Sequence, residues 1–255
     1  MSVVAAVSGI DIKGEGGPAH AMQVGVIADV HGNLVALDAV LSDMPAVDRL
    51  VCAGDVVGYN PWHAECLAVI RGETDALSDT AAATLPDGAV PTVMGNHDRA
   101  VAFDTAYGFN RMAAAGVDHA RETLSEERIE WLADFPEQRV VCDGRLKLVH
   151  GHPEDPDRYT YPEEYEPGML GDEDVLVTGH THVQGHAAFD EGLVLNPGSV
   201  GQPRDGDPRA AYALVDFEEY TIEGHRVEYD IERVVEEVEA AGLPERIGTR
   251  LRSGQ

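Results

Sequence analysis

The stretch Val24-Gly25-Val26-Ile27-Ala28-Asp29-Val30-His31-Gly32-Asn33 decides the fold. Val24 to Ala28 is a short apolar run rich in β-branched residues, the pattern of a buried strand. Asp29-Val30-His31 interrupts it with two polar side chains. Asn33 can then cap a helix in which Leu34, Leu37, Val40 and Leu41 recur at helical spacing. A buried strand, a polar turn and an amphipathic helix together make one unit of an open α/β sheet.

Working outward, the unit recurs. Arg49 to Ala53 reads as a second strand, and Pro61 stands at the start of a helix reaching Arg71. Pro91 to Met94 predicts a third strand. Helical patterns fill Phe109 to Leu124 and Ser125 to Asp134, the latter with acids in its first turn, where they favour the helix dipole. After Pro136 the character changes, and strands are expected at Arg139 to Val141, Leu146 to Val149, Val175 to Thr178 and His186 to Phe189. Three more follow at Leu193 to Leu195, Ala211 to Val215 and Thr221 to Tyr229, before a closing helix from Ile231 to Ala241. No linker rich in Pro, Gly or Ser divides the chain, and 255 residues suffice for one sizeable core. The expectation is a single domain over residues 22–255, built of two packed sheets flanked by helices. Met22 immediately precedes the first convincing strand, so residues 1–21 are expected to be a disordered leader or an over-called start. Val3 to Ile10 is their one apolar segment, with no basic residue ahead of it, which makes a poor secretion signal.

Charge narrows the setting. Asp and Glu number 46 against 18 Lys and Arg, a formal net charge of -28, and Lys13 and Lys147 are the only lysines. The acids recur along the whole chain, with a denser run from Glu154 to Asp174. Such a surface suits concentrated salt, where at ~1 M the Debye length shrinks to ~3 Å and self-repulsion is screened. A halophilic cytoplasm is the expectation. The absence of a Lys/Arg stripe argues against stable docking to nucleic acid. No stretch approaches the ~18 apolar residues of a membrane span. Cys52, Cys66 and Cys142 are odd in number and widely spaced, which suits buried free thiols in a reducing compartment. Oligomeric state is not legible.

Five polar clusters each follow an apolar strand: Asp29-Val30-His31, Gly54-Asp55-Val56-Val57-Gly58, Gly95-Asn96-His97-Asp98, His150-Gly151-His152 and Gly179-His180-Thr181-His182. Residues just past the carboxyl ends of neighbouring strands converge on one crevice, so groups distant in sequence can meet there. In extended chain, residues i and i+2 share a side, which lets Asp29 with His31, and His180 with His182, address one place. Imidazole and carboxylate without thiolate suit Mn, Fe, Zn or Ni, and there are more donors than one ion needs. Taken singly, Asp-x-His or Gly-Asn-His-Asp is more often a turn than a ligand group. Five in order, each at a strand end, are a different matter.

This ordered series resembles the calcineurin-like metallophosphoesterase superfamily from about Met22 to Val215, and within it the small prokaryotic phosphodiesterase-like branch. Gly58-Tyr59-Asn60-Pro61 and Asn196-Pro197-Gly198-Ser199-Val200-Gly201-Gln202-Pro203-Arg204 carry the likeness further. The resemblance implies a mixed α/β fold with two packed mixed β-sheets flanked by helices, a four-layer αββα sandwich. It implies two divalent ions, manganese first among them: Asp29, His31 and His182 on one, Asn96, His150 and His180 on the other, and Asp55 bridging. His97 would protonate the leaving oxygen or donate to a phosphate oxygen, and Asp98 would either orient His97 or stand in solvent. After Gly54-Asp55 the chain lacks the Asp-Arg-Gly of the protein Ser/Thr phosphatase branch, and Asp98 stands where that branch carries Glu. The implied activity is hydrolysis of a small phosphodiester or nucleotide. Its alternatives are a phosphomonoesterase or phosphoprotein phosphatase, and a non-catalytic metal-binding scaffold. His152, Arg99 and Arg204 are weighed as supporting residues, and the run from Glu154 to Asp174 as a lid or a solvated loop.

Overall fold

The computed structural model describes Val4, Ala5 and residues 22–106 and 108–255. Apart from Val4 and Ala5, the expected leader lies outside the described residues. In chain order the strands are β1 (Val4–Ala5), β2 (Gln23–Ile27), β3 (Arg49–Cys52), β4 (Gln138–Val141), β5 (Leu146–Val149), β6 (Val175–Val177), β7 (Gly185–Ala188), β8 (Leu193–Asn196), β9 (Ala210–Asp216) and β10 (Thr221–Val227). The helices are α1 (Leu34–Asp43), α2 (His63–Ile70), α3 (Asp79–Thr84), α4 (Asn96–Phe103), α5 (Arg111–Thr123), α6 (Glu126–Ala133), α7 (Ile231–Ala240) and α8 (Arg246–Thr249).

Two five-stranded mixed sheets result. The first runs β1-β10-β9-β2-β3, with β2 and β3 parallel and the other pairs antiparallel. The second runs β4-β5-β6-β8-β7, parallel only through β5, β6 and β8. Side-chain alternation decides how they meet. Val24, Val26, Val51, Ala213 and Val215 face inward from the first sheet and pack on Leu146, Leu148, Val175, Val177, Leu193 and Leu195 of the second. Each such Val or Leu, taken wholly out of water, contributes roughly 2 kcal/mol. The opposite parity of the first sheet, Ile27, Leu50, Cys52, Tyr212 and Leu214, receives the helices through Leu37, Leu41, Leu67 and Ile70. On the second sheet the outer layer is 3-10 turns: Tyr165 and Met169 cover Val149, Leu176 and Val194. The Glu154 to Asp174 run is thus partly buried structure and not a wholly solvated loop.

Helix starts follow their caps. Asn33 Oδ1 accepts from the Ala36 N–H at 3.1 Å, Asn110 from Met112 and Ala113, and Asp230 from Arg233. Two expectations fail. Pro91 to Met94 forms no strand: Thr92 makes a single bridge to Cys52, and Met94 N–H turns away to Pro136 O. Proline supplies no N–H to continue a ladder. The expected C-terminal helix is followed by α8 and a further 3-10 turn, Arg250–Ser253. All three cysteines are buried. Among the described residues no helix is long and apolar enough to cross a membrane.

Candidate metal centre

The loops after β2, β3, β5 and β6, with the first turn of α4, bring the clusters together at the same end of both sheets. Their side chains meet in a way extended backbone does not provide. Asp29, His31, Asp55, His180 and His182 all hold φ between 48° and 67°, the left-handed region that non-glycine residues seldom enter. The expected sharing of a side by i and i+2 in extended chain is therefore not what orients these pairs. Tight left-handed turns do it, held by hydrogen bonds that offset the strain. His31 O accepts from Asn60 N–H and Nδ2, each at 3.0 Å, and Ser199 Oγ donates to Asp29 O at 2.7 Å. Asn196 Nδ2 donates to Gly179 O at 2.7 Å and to Thr181 Oγ1 at 3.0 Å. These contacts give Asn60, Asn196 and Ser199, quoted in the sequence without a role, a positioning task.

Two groups of donor atoms form, each within 4.8 Å internally: Asp29, His31, Asp55 and His182, then Asp55, His150 and His180, with Asp55 common to both. Every one is buried. Asn96 joins the second group, its Oδ1 lying 3.3 Å from His150 Nε2.

The hydrogen bonds around these rings test whether a cation fits. His31 Nδ1 lies 3.1 Å from Val57 O, His182 Nδ1 lies 2.6 Å from Gln202 O, and His150 Nδ1 lies 2.8 Å from Ala53 O. A carbonyl only accepts, so each Nδ1 carries the proton, and the Nε2 atoms of His31 and His182 each present a lone pair. The Nε2 atoms of His31 and His182 then face one another at 3.1 Å, with Asp29 Oδ1 3.4 Å from His182 and Asp55 Oδ2 3.6 Å from His31. Backbone N–H groups of His180 and His97 reach the two carboxylates, but among the described residues no side-chain donor stands between them and the facing nitrogens. A divalent cation is the partner this donor set fits.

Protonation differs between the groups. Burial pushes His31 and His182 well below the ordinary imidazole range, and burial with the neighbouring His150 charge takes His180 down to about 3. Burial raises Asp29 to about 7. His150 is opposite: burial would lower it, but the Asp55 carboxylate at 3.4 Å lifts it to about 10. Asp55 in turn is held well below the carboxylate range by the His150 charge against the cost of its own burial.

His97 stands at the edge of the site, its ring 4.7 Å from those of His31, Tyr59 and Phe109, and its backbone N–H donates to Asp55 Oδ1 at 2.8 Å. Burial lowers its pKa to about 4. Its Nδ1 has no hydrogen-bond partner among the described residues. Two glycines make the approach possible. A Cβ on Gly58 would stand 2.4 Å from His97 Nδ1, and one on Gly95 would stand 2.0 Å from Asp55 Oδ1.

Asp98 does neither thing expected of it. It is buried, and its carboxylate accepts the N–H groups of Val56, Val57 and Gly95 at 2.9–3.1 Å, tying α4 to the Asp55 loop. His152 makes a turn, its Nδ1 accepting from Glu154 N–H. Arg99 pairs with Asp157, whose carbonyl lies 3.2 Å from His180 Nε2, and Tyr159 lies on the His180 ring at 3.9 Å. Arg204 reaches Tyr59 Oη at 3.4 Å. Tyr59, Gln202 and Asp157 are site residues the sequence did not single out; the first two sit inside motifs already quoted.

A metallophosphoesterase from Sphaerobacter thermophilus superposes with a TM-score of 0.76 at 33% identity, covering 92% of this chain and 100% of that one. An uncharacterized protein of Methanocaldococcus jannaschii is 31% identical over 91% of this chain and 98% of its own length. The Escherichia coli phosphodiesterase YfcE is 28% identical over 76% of this chain and 88% of its own. The model of the calcineurin-like phosphoesterase superfamily domain matches residues 22–220. With buried Asp and His donors forming a dinuclear-type metal site inside that span, the chain belongs to the calcineurin-like phosphoesterase superfamily and is a phosphoester hydrolase.

Proposed function

We propose that the protein is a dinuclear metal-dependent phosphodiesterase acting on a small phosphodiester or nucleotide. The observation that carries this reading is the pair of donor groups meeting at Asp55, with the unprotonated nitrogens of His31 and His182 turned on each other. In it Asp29, His31, Asp55 and His182 hold one divalent ion, and Asp55, Asn96, His150 and His180 the other. When bound, such a pair neutralises phosphoryl oxygens and eases ionisation of an attacking water. The chain's residues do the rest. Carbonyls of Val57, Gln202 and Ala53 fix the ring tautomers, and Asp98 fixes the distance between Asn96 and Asp55. His97, kept neutral by burial, donates its N–H to the leaving oxygen as charge develops there. Manganese is the proposed ion, with iron, zinc and nickel as competitors in direct metal analysis. The likeness to the Escherichia coli phosphodiesterase YfcE supports the diester preference.

The test is turnover of bis(p-nitrophenyl) phosphate against p-nitrophenyl phosphate by the manganese-loaded protein. Faster cleavage of the monoester would overturn the diester preference, and inactivity on both would favour a scaffold. His97→Ala should lose about 10²- to 10⁴-fold in kcat with two ions retained; equal turnover would sink the role given to His97. The same assay in a KCl series addresses setting. We infer a salt-rich, reducing cytoplasm from the charge of -28 and three buried thiols. A melting temperature that falls as KCl rises would contradict it.

A further inference from the structure

We propose that His63 and His119 form a positioning pair that, through the backbone N–H of Gly58, holds the segment on which His97 rests. This rests on the role given to His97 under the phosphoesterase reading and adds to it two residues outside both donor groups.

The segment Val56 to Asn60 ties the parts of the site together. Its Val57 O lies 3.1 Å from His31 Nδ1, its Val56 and Val57 N–H groups go to Asp98, and its Asn60 N–H goes to His31 O. Gly58 is where it meets His97. The glycine holds φ at 92°, and a Cβ there would stand 2.4 Å from His97 Nδ1, so bare backbone forms the wall behind the ring. The Gly58 N–H is accepted by His63 Nδ1 at 3.4 Å. His63 opens α2 and is wholly buried, with its Nδ1 also against Gly32, where a Cβ would stand 2.8 Å away. From the other side α5 lies on the same segment, since a Cβ on Gly116 would stand 2.2 Å from Tyr59 N. His119, three residues on and on the same face of α5, brings its Nδ1 to 3.1 Å from His63 Nε2.

The protons in this line have one order. A backbone N–H only donates, so His63 Nδ1 is bare and its proton sits on Nε2. Burial keeps that ring neutral, at about 3. Nε2–H then donates to His119 Nδ1, which is bare as well. A proton added to His119 lands on Nδ1 and sets two N–H groups against each other. His63 can answer only by moving its own proton to Nδ1, where it meets the Gly58 N–H. Either way a hydrogen bond becomes a clash of donors, and the hold on Gly58 loosens. Burial lowers His119 from its ordinary 6.5, while Glu122 on the same helix favours its charge. Of the other ionisable groups near it, Arg121 turns to Asp104, Asp98 and Arg99 of α4 turn to the Asp55 loop and to Asp157, and Glu65 stands on another face of α2 from His63.

Turnover of bis(p-nitrophenyl) phosphate in saturating manganese, with bound metal counted at each pH, tests the pair. His63→Leu removes the acceptor and should lower kcat about ten- to a hundredfold, with KM little changed and both ions kept, as a small misplacement at a reacting centre does. His63→Asn offers an oxygen near the place of Nδ1 and should recover most of that loss. His119→Asn keeps an acceptor that does not titrate; the fall in wild-type kcat below pH 6.5 should move to lower pH in it. Full turnover in His63→Leu, equal loss in His63→Leu and His63→Asn, or an acid limb unchanged in His119→Asn overturns the proposal. If His63→Leu does not fold, the acid limb of His119→Asn decides. Nitrogen-15 NMR of the zinc-loaded protein supplies a readout without turnover: the Gly58 amide should shift as His119 titrates in wild type and stay still in His119→Asn. If wild type cleaves no phosphoester while that amide follows His119, the functional reading fails and the pair stands. If it cleaves the diester while amide and acid limb both ignore His119, the pair fails and the reading stands.

Discussion

Around Asp29, His31 and His182 the imidazoles are neutral and crowd their lone pairs together, while around His150 and His180 an imidazolium is locked to Asp55. One carboxylate serves both neighbourhoods. Their difference shows two ways of arranging buried donors around one carboxylate. In the first group, carbonyls of Val57 and Gln202 hold the rings in place and the repulsion stays unrelieved. In the second, Asp55 holds a proton on His150 and is offset by its charge. The first is poised to accept an ion; the second must give up a proton first.

Removing the shared member should collapse the distinction. Asp55→Asn takes the anionic partner from His31 and His150 and leaves a single neutral oxygen to accept the His97 N–H. Metal content should fall from two ions towards none, and kcat by about 10³-fold, the scale of losing a charge-stabilising group at a reaction centre. Retention of both ions, counted by plasma mass spectrometry, would show that Asp55 is not common to them.

pH should separate the two groups. At pH 7 the first group has at most the Asp29 proton to displace, at about 7, whereas the second must displace the His150 proton, at about 10. Between pH 7 and 9 affinity at the first group should stay nearly flat. At the second it should rise about tenfold per pH unit, because binding there releases a proton. Calorimetry in buffers of different ionisation enthalpy reads that proton directly. Stability of the metal-free protein should move the other way. A His150 pKa raised above its ordinary 6.5 stabilises the fold fully below about pH 6.5 and loses that contribution as pH climbs through 10. Two binding events with the same pH slope would erase the contrast.

How much of this was legible in the sequence depends on the range of the interaction. Local signals read well: the cap at Asn33, the acidic first turn of α6, the period of α1 and the β-branched runs of β2 and β6 are settled within a few residues. The order of strands was not, since β9 and β10 complete the sheet begun by β2 and β3 only through pairing across about 190 residues, as Val24 with Val215 shows. The Asp and His clusters were visible as strand-end punctuation. Their left-handed backbone was not, because Asp and His, though enriched among non-glycine residues at positive φ, are seldom there unless the surrounding structure forces it. Asp98 was misread because a carboxylate that caps three backbone N–H groups looks in sequence like any polar neighbour of a catalytic histidine.

The smallest effects expected come from the residues that support each group separately. Asp98 holds the start of α4, and with it Asn96, against the Asp55 loop through three N–H donors. Ser199 holds the Asp29 carbonyl and receives Gln202 N–H, on the side of the first group. Asp98→Asn keeps one acceptor oxygen and puts an NH₂ where another N–H already points, which should cost about 1–3 kcal/mol. Affinity at the second group should weaken about 10- to 100-fold while the first is spared. Ser199→Ala should do the converse on a smaller scale, about 1 kcal/mol of stability and a loosening confined to the first group. Metal titrations of the two variants, each compared with its own melting temperature, separate local support from general destabilisation. If both variants weakened both ions alike, Asp55 would be coupling the groups so tightly that their opposite protonation had no separate consequence.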